Sequence, residues 1–291
     1  MKHLISKTVL SAAVAACCFA STSAFADVYK PFTINEGVVP DANKQQLTAG
    51  DINGLYNESV FFSGGLTGTF STALYFIAGQ YINTNATGTS GGQLGTSAPN
   101  QYELYATLTG NGTYTTDATG KTVFTFVNSG NLQVYIDPAS NTTFGFTTPT
   151  GTTAPTVTRA NATDDLLVAT GFVSNGQGTA DPTLPTCGAT STAAAPHQGI
   201  NCGSFGTTTP LTLTEFGKTF FIAPNPFYLF ALESGQFNYL NAAAGGTQST
   251  SGSADVTFDG LPTNVPEPES IALFGIGLLG LGLAARRRKQ A

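Results

Sequence analysis

Few side chains in this sequence have types and spacings that could carry out catalysis. Glu215 and Glu233 could serve as the acid and base of a glycoside hydrolase, if two strands placed them face to face. A Ser-His-Asp arrangement would need His197, because the other histidine, His3, lies in a predicted N-terminal leader. His197 stands in a stretch rich in Pro, Ala and Gly, which is typical of a loop. We therefore expect that the protein is not an enzyme.

Two short stretches carry oxygen-bearing side chains that could bind calcium. Residues 51–54 (Asp-Ile-Asn-Gly) resemble the start of an EF-hand loop, but the glycine comes at position 4 and Phe62 occupies position 12. Residues 137–141 (Asp-Pro-Ala-Ser-Asn) also offer loop oxygens. Both stretches have the composition of turns, so we expect turns there, with no bound metal and no cofactor.

The N-terminus has the organisation of a secretory signal peptide, which we assign to residues 1–26. A basic start precedes an apolar core at residues 9–20, and small residues follow at the positions that signal peptidase recognises. The alternative is a lipoprotein signal ending at Cys17, whose hydrophobic core would be very short. The predicted recognition and cleavage residues are Ala24, Ala26 and Asp27.

Cys187 and Cys202 are the two cysteines that would remain after removal of this leader. In an exported protein they would meet an oxidising compartment, so we expect a disulfide between them. At this spacing the disulfide would stabilise the fold by about 3 kcal/mol. The alternative is a metal site with His197, which would supply three ligands where structural zinc takes four.

The predicted mature region, residues 27–265, is acidic. It holds five basic and fifteen acidic side chains, a net charge of −10. This charge disfavours binding to nucleic acid or to an anionic membrane surface. Charged residues make up only 10% of the whole chain, and Thr, Gly, Ser and Asn supply most of the polar positions. Uncharged, hydroxyl-rich surfaces of this kind are common in exported matrix proteins.

The C-terminal segment 265–291 joins three features in a fixed order. A Pro-Glu-Pro motif precedes an apolar run at residues 271–285, and a basic cluster follows. As a helix the run would reach about 22 Å, which spans a bilayer core of about 30 Å only if the basic side chains snorkel. We predict a transmembrane helix at 270–285 with its basic end in the cytoplasm. The residues of the motif and the cluster are Pro266, Glu267, Pro268, Arg286, Arg287 and Arg288.

This segment resembles the PEP-CTERM sorting signal of diderm bacteria. The resemblance implies that an exosortase cuts near the Pro-Glu-Pro motif and passes the protein toward the cell surface or the extracellular matrix. The helix would then be a transient contact with the membrane. An ordinary C-terminal anchor helix is the alternative.

Short β-rich runs broken by Gly, Asn, Pro and Ser fill the region between the two signals. With 31 aromatic side chains (21 Phe and 10 Tyr) and no sustained helical period, residues 27–262 predict an all-β domain, an antiparallel β-sandwich or jelly-roll-like fold. Runs at 123–127 and 132–136 flank a turn sequence that predicts a hairpin. Low-complexity loops are expected at 83–100 and 175–209. Further strands are predicted at 32–35, 58–62, 69–78 and 102–109.

Several internal stretches resemble, in order, those of the flocculation-associated PEP-CTERM proteins of floc-forming bacteria. The resemblance implies a surface or matrix protein that promotes flocculation or biofilm formation with secreted exopolysaccharide as its partner, and it carries over no catalytic residues. A carbohydrate-binding module with a groove lined by tyrosines is the alternative, and a secreted glycoside hydrolase is a further one. The stretches are FTINEG (32–37), GDINGLYNE (50–58), FSTALYFIAGQYI (70–82), YELYATLTGNGTY (102–114), LQVYIDP (132–138) and NPFYLFALESGQFN (225–238).

Overall fold

Pairing between strands, rather than packing between helices, organises this chain. The predicted signal peptide 1–26, the segment 265–291 with its predicted helix 270–285, and His197 lie outside the described residues. Within the part that is described, no helix is both long and apolar enough to cross a lipid bilayer. The computed structural model describes residues 31–84, 88–95, 99–127, 129–147, 154–188, 202–224, 229–234, 238 and 240–259.

The elements are numbered in chain order. The strands are β1 (Phe32–Asn35), β2 (Gln46–Ala49), β3 (Asp51–Phe62), β4 (Thr67–Ile82), β5 (Glu103–Thr116), β6 (Thr122–Phe126), β7 (Ser129–Asp137), β8 (Thr143–Phe146), β9 (Val157–Ala160), β10 (Leu166–Val173), β11 (Asn175–Ala180), β12 (Gly203–Leu213), β13 (Phe221–Ala223), β14 (Leu229–Ser234) and β15 (Gly246–Asp259). Two short α-helices are α1 (Pro185–Gly188) and α2 (Glu215–Phe220), and 3-10 turns occupy Glu36–Val38 and Ala242–Ala244.

The main sheet is an antiparallel meander that closes on itself. β3, β4 and β5 pair in sequence order, and β5 then pairs with β6 and, farther along its length, with β7. β6 and β7 pair in turn with β11 and β10, which both pair with β12. β12 continues to β14 and β15, and β15 returns to β3 over twelve residue pairs. The predicted all-β, antiparallel, sandwich-like fold is confirmed.

The predicted hairpin between residues 123–127 and 132–136 is wrong. β6 and β7 do not pair with each other; both pair with β5, at its two halves, so they act as one interrupted strand. The turn sequence between them forms an irregular step in that strand. There, Gly130 has φ +88° and its Cα lies so close to β5 that a Cβ would approach the Thr109 carbonyl oxygen to 1.9 Å. Glycine provides a local kink here rather than a chain reversal.

The predicted low-complexity loop 175–209 is in part sheet. β11 and the first residues of β12 pair with each other from Asn175↔Thr208 to Ala180↔Gly203. β11 also pairs with β6, so its backbone is hydrogen-bonded on both edges. Its buried positions are Gly176, Gly178 and Ala180, and such small residues hide the apolar alternation that marks a strand.

The other predicted loop, 83–100, contains no named strand among its described residues, but it is tied to the sheet. Isolated bridges join Ile82 to Thr89 and Leu94 to Tyr102. Leu94 is buried, at 8% exposure. This segment therefore packs as part of the domain despite its Thr/Gly/Ser composition.

Aromatic rings fill much of the interior. Phe62 meets Tyr114 edge to face at 5.4 Å between ring centres, and Phe70 meets Phe126 at 5.1 Å. Phe32 of β1 meets Phe258 of β15 at 4.7 Å, because the small sheet β13-β1-β2 packs its apolar face against the main sheet. Edge-to-face pairs contribute about 0.5–1.5 kcal/mol each beyond the area that they bury.

Candidate functional site

A flat group of aromatic rings lies on the outer face of β4, under the β8–β9 hairpin. Phe144 of β8 stacks on Tyr75 of β4, with ring centres 4.7 Å apart and planes inclined by 17°. Phe146 stacks on the same tyrosine at 5.4 Å and 28°. All three side chains are partly exposed. We call Tyr75, Phe144 and Phe146 the aromatic stack; it presents ring surface to solvent.

Arg159 fixes the hairpin beside this stack. From β9 its guanidinium donates to the Tyr105 hydroxyl at 2.6 Å and to the Tyr135 hydroxyl at 3.2 Å. Its Cζ lies 4.0 Å from the centre of the Tyr135 ring, which is within cation–π range. It also pairs with Asp165 at 3.1 Å, and the Asp165 side chain is only 2% exposed. Tyr105 and Tyr135 stack on each other at 5.2 Å between ring centres, so Arg159 joins the β8–β9 hairpin to a pair of stacked rings.

Carboxylates converge next to Arg159. One oxygen from each of Asp137, Asp164 and Asp165 lies within 4.8 Å of the others. Glu103 stands directly across the β5–β7 pair from Asp137. Its side chain is buried, at 7% exposure, and its Oε1 has no hydrogen-bond partner among the described residues. We call these four residues the carboxylate cluster.

Asp137 holds the turn that leads from β7 to β8. Its Oδ1 accepts from the backbone N–H of Ala139 at 3.0 Å, and its Oδ2 accepts from those of Asn141 and Thr142, both at 2.8 Å. The turn predicted at 137–141 is therefore confirmed. The turn predicted at 51–54 is wrong, because these residues belong to β3 and pair on both sides.

Burial first, and then the negative charges of Asp137 and Asp165, together raise the pKa of Glu103 from 4.5 to about 7. Burial likewise raises the pKa of Glu58 to about 7, although Thr72 donates a hydrogen bond to it at 2.5 Å. Glu58 lies on the inward face of β3, at a cavity of about 30 Å³ lined by phenylalanines. That volume holds about one water molecule.

A polar groove of about 570 Å³ crosses the outer face of β11, β12, β14 and β15. Glu233 and Asp255 stand opposite each other in it, with Gln177, Thr179 and Ser204 nearby. It presents hydroxyl, amide and carboxylate groups, with Phe205 the one aromatic ring among its described lining residues.

The structure does not bring Glu215 and Glu233 together. Glu215 begins α2, where it is exposed and pairs with Lys218 at 2.6 Å. Glu233 stands opposite Gly206 of β12, seven residues before the strand ends at Leu213. At about 3.3 Å per residue this separates the two glutamates by roughly 23 Å, beyond the spacing of a glycosidase pair.

Cys187 and Cys202 form the predicted disulfide, with an S–S distance of 2.08 Å. Both cysteines are fully buried. Cys187 lies in α1 and Cys202 directly precedes β12, so the bond closes the connection between β11 and β12. The alternative metal site with His197 is excluded for these sulfurs, because a disulfide leaves no thiolate to bind a metal.

The comparison with known families concerns the end of the chain. A family model described as the PEP-CTERM protein-sorting motif matches residues 264–289. The chain carries a PEP-CTERM sorting signal at this end. Its signal implies processing by an exosortase and export by way of the membrane to the cell surface. No curated protein and no solved structure matches the chain.

The matched range contains the predicted sorting residues Pro266, Glu267, Pro268, Arg286, Arg287 and Arg288. These residues lie outside the described structure, as do the predicted cleavage residues Ala24, Ala26 and Asp27. Their individual roles remain predictions.

The predicted tyrosine-lined groove is absent from the described residues of the chain. Tyr75 is the one described tyrosine that is partly exposed, and Tyr56, Tyr81, Tyr102, Tyr105, Tyr114 and Tyr135 are buried. Sequence reasoning missed Phe144 and Phe146. Their alternation with Thr143 and Gly145 was a signal that they share one face of a strand.

Proposed function

We propose that this PEP-CTERM protein promotes flocculation or biofilm aggregation of a diderm bacterium, together with extracellular polysaccharide. The observation that carries the proposal is the sorting signal at 264–289 attached to an all-β domain. A net charge of −10 on the mature region and the hydroxyl-rich composition support a solvated matrix component rather than a nucleic-acid binder.

The proposed role is non-enzymatic. The separation of Glu215 from Glu233 supports it, since the usual glycoside hydrolase needs two carboxylates at the scissile bond. The resemblance to flocculation-associated proteins brings no catalytic residues either. In this role the domain acts by binding other matrix components through its surface.

Two cleavages prepare the protein in this proposal. Signal peptidase cuts before Asp27, and exosortase cuts near Pro266-Glu267-Pro268 after the helix 270–285 has entered the membrane. Arg286, Arg287 and Arg288 keep the end of that helix cytoplasmic. The mature domain then reaches the cell surface or the matrix.

Deletion of the gene in the source strain tests this function. Floc volume should fall while the amount of secreted exopolysaccharide stays the same, and the full-length gene should restore flocs. A gene that lacks codons 264–291 should not restore them, because its product is not sorted. Normal flocs in the deletion strain would show that the proposal is wrong.

The aromatic stack favours a second function, a carbohydrate-binding module. Partly exposed rings can pack against the apolar faces of sugar rings, and the polar side chains nearby can bind hydroxyl groups. Purified protein should bind the strain's exopolysaccharide saturably. Tyr75→Ala should weaken that binding at least tenfold, because the tyrosine touches both phenylalanines.

Phe172→Ala is the matched control, because Phe172 is an exposed aromatic residue, at 41%, away from the stack. If Tyr75→Ala and Phe172→Ala bound the exopolysaccharide equally well, the aromatic stack would not be the glycan site. Flocculation without saturable binding would leave the first function standing and contradict the second.

A further inference from the structure

We propose that the carboxylate cluster, Glu103, Asp137, Asp164 and Asp165, binds a divalent cation of the Ca²⁺ class. The site is independent of the proposed role in aggregation. It rests on the mutual distances of three aspartates, on the unpartnered oxygen of Glu103 and on the balance of charge around them.

The distances fit one ion. Calcium binds oxygen ligands at about 2.3–2.6 Å, so two ligands on opposite sides of it lie up to about 5 Å apart. The three aspartate oxygens lie within 4.8 Å of one another. They come from the end of β7 and from the residues just before β10, which the β7–β10 pairing holds together.

Glu103 supplies an independent observation. Its side chain is 7% exposed, and Oε1 lacks any hydrogen-bond donor among the described residues. A buried carboxylate oxygen without a partner destabilises the fold unless a cation or a hydrogen-bond donor meets it. Glu103 stands directly across from Asp137 on the same face of the sheet. Glu103 therefore borders the three aspartates and would be the fourth carboxylate ligand.

The charge of the cluster also calls for a cation. Four carboxylates stand together, and Arg159 forms an ion pair with one of them, Asp165, at 3.1 Å. Lys218 and Lys121 pair with other acids, Glu215 and Asp181. A divalent ion would offset most of the charge that Arg159 leaves uncompensated.

The ligand type favours calcium over other metals. The cluster offers oxygen atoms only, which disfavours zinc, whose sites contain histidine or cysteine. Asp137 is fixed by three backbone N–H groups, as ligating carboxylates commonly are. Calcium accepts such an irregular set of six to eight oxygens, whereas Mg²⁺ requires near-octahedral ligands at about 2.0–2.1 Å.

The test measures calcium binding to the full chain, purified, stripped with EDTA and titrated with CaCl2 or MgCl2. One Ca²⁺ per chain should bind, with a rise in the melting temperature that MgCl2 at the same concentration does not reproduce. Asp164→Asn is the informative variant, because Asp164 makes no hydrogen bond among the described residues and its loss should not disturb the fold. It should weaken calcium binding at least tenfold, and Glu103→Gln should do the same.

Glu215→Gln is the control, an exposed acid of the same chain outside the cluster, and it should bind calcium unchanged. No thermal shift and no bound calcium in the unsubstituted chain would overturn the proposal. Unchanged calcium binding by Asp164→Asn and Glu103→Gln would overturn it too. If Glu103→Gln stabilises the chain in EDTA and calcium has no effect, a proton rather than a cation neutralises the cluster.

Discussion

Gln93 donates two hydrogen bonds to the buried carboxylate of Glu36, from its backbone N–H at 2.8 Å and from Nε2 at 2.9 Å. The Tyr102 hydroxyl donates to the same carboxylate at 2.8 Å. Glu36 is fully buried. One carboxylate therefore ties the loop that contains Gln93 to the 3-10 turn after β1.

Glu36→Gln should destabilise the domain. The new amide would turn an NH2 group toward side chains that donate, and hydrogen bonds to a buried charge contribute about 1.5–3 kcal/mol each. We expect the free energy of unfolding to fall by about 2 kcal/mol in urea denaturation, with faster hydrogen exchange at residues 88–95. Glu215→Gln, at an exposed site, is the control. Equal stability of the two variants would show that the Glu36 contacts contribute little.

Gly130→Ala should lower the free energy of unfolding by more than the positive φ of this residue alone explains. Its Cβ would meet the Thr109 carbonyl oxygen at 1.9 Å, so the β5–β7 pair would have to move. Gly91 has φ +75° with no atom within 4 Å of an added Cβ, and Gly91→Ala is the matched control. We expect a loss of about 1 kcal/mol for the control and at least about 3 kcal/mol for Gly130→Ala. Thermal denaturation compares them, and similar losses would contradict the close approach.

Removal of the Cys187–Cys202 disulfide should destabilise the domain by about 3 kcal/mol, because the unfolded chain gains freedom. The double variant Cys187→Ala/Cys202→Ala measures this in guanidinium chloride. Dithiothreitol should lower the stability of the unsubstituted chain to a similar level and leave the double variant unchanged. If dithiothreitol also destabilised the double variant, its effect on stability would not come from the Cys187–Cys202 disulfide.

Stability should fall as the pH rises from about 4.5 to about 7, in part because of Glu58. Burial raises the pKa of Glu58 to about 7 in the folded chain, against about 4.5 when unfolded, so the folded state keeps a proton that the unfolded state releases. The stability present below pH 4.5 is therefore lost as the pH rises to 7, by at most about 3 kcal/mol. Glu58→Gln should flatten this slope in urea denaturation at several pH values.

Asp51 also has a pKa raised to about 7, by burial first and then by the charge of Asp255. It contributes a slope of the same sign, so Asp51→Asn is the companion variant. If Glu58→Gln leaves the pH dependence unchanged while Asp51→Asn reduces it, the effect belongs to the outer face of β3 and not to the interior.

Regular alternation made part of this fold predictable. The strand predicted at 32–35 matches β1 in full, because Phe32 and Ile34 alternate with polar residues and both are buried. β3 begins at Asp51, well before the predicted start at 58. Gly54 hid this part of the strand, because it occupies an inward position where the sequence shows no apolar side chain. A Cβ there would meet the Ile77 carbonyl oxygen at 2.2 Å. When a strand needs a glycine because two backbones approach closely, the sequence alone wrongly predicts a turn at that position.

The candidate site was less predictable, because it depends on distant pairing. Asp137 and Asp165 lie 28 positions apart and meet only through the β7–β10 register. Asp164 and Asp165 directly precede β10, and no local sequence pattern places Glu103 beside them. The sorting signal is different, because its three parts are contiguous and need no fold to be recognised.

Because the sheet closes through the pairing of β15 with β3, the domain can complete its fold only after β15 has been secreted. β15, the last strand among the described residues, pairs with β3, about 200 residues earlier in the chain. Until β15 emerges during secretion, β3 and β14 each present a bare edge of N–H and C=O groups that can recruit another unfinished copy. Truncation before residue 246 would therefore produce molecules that are prone to pair with other chains. β15, the described strand nearest the sorting signal, covers the edges of β3 and β14 within the same molecule.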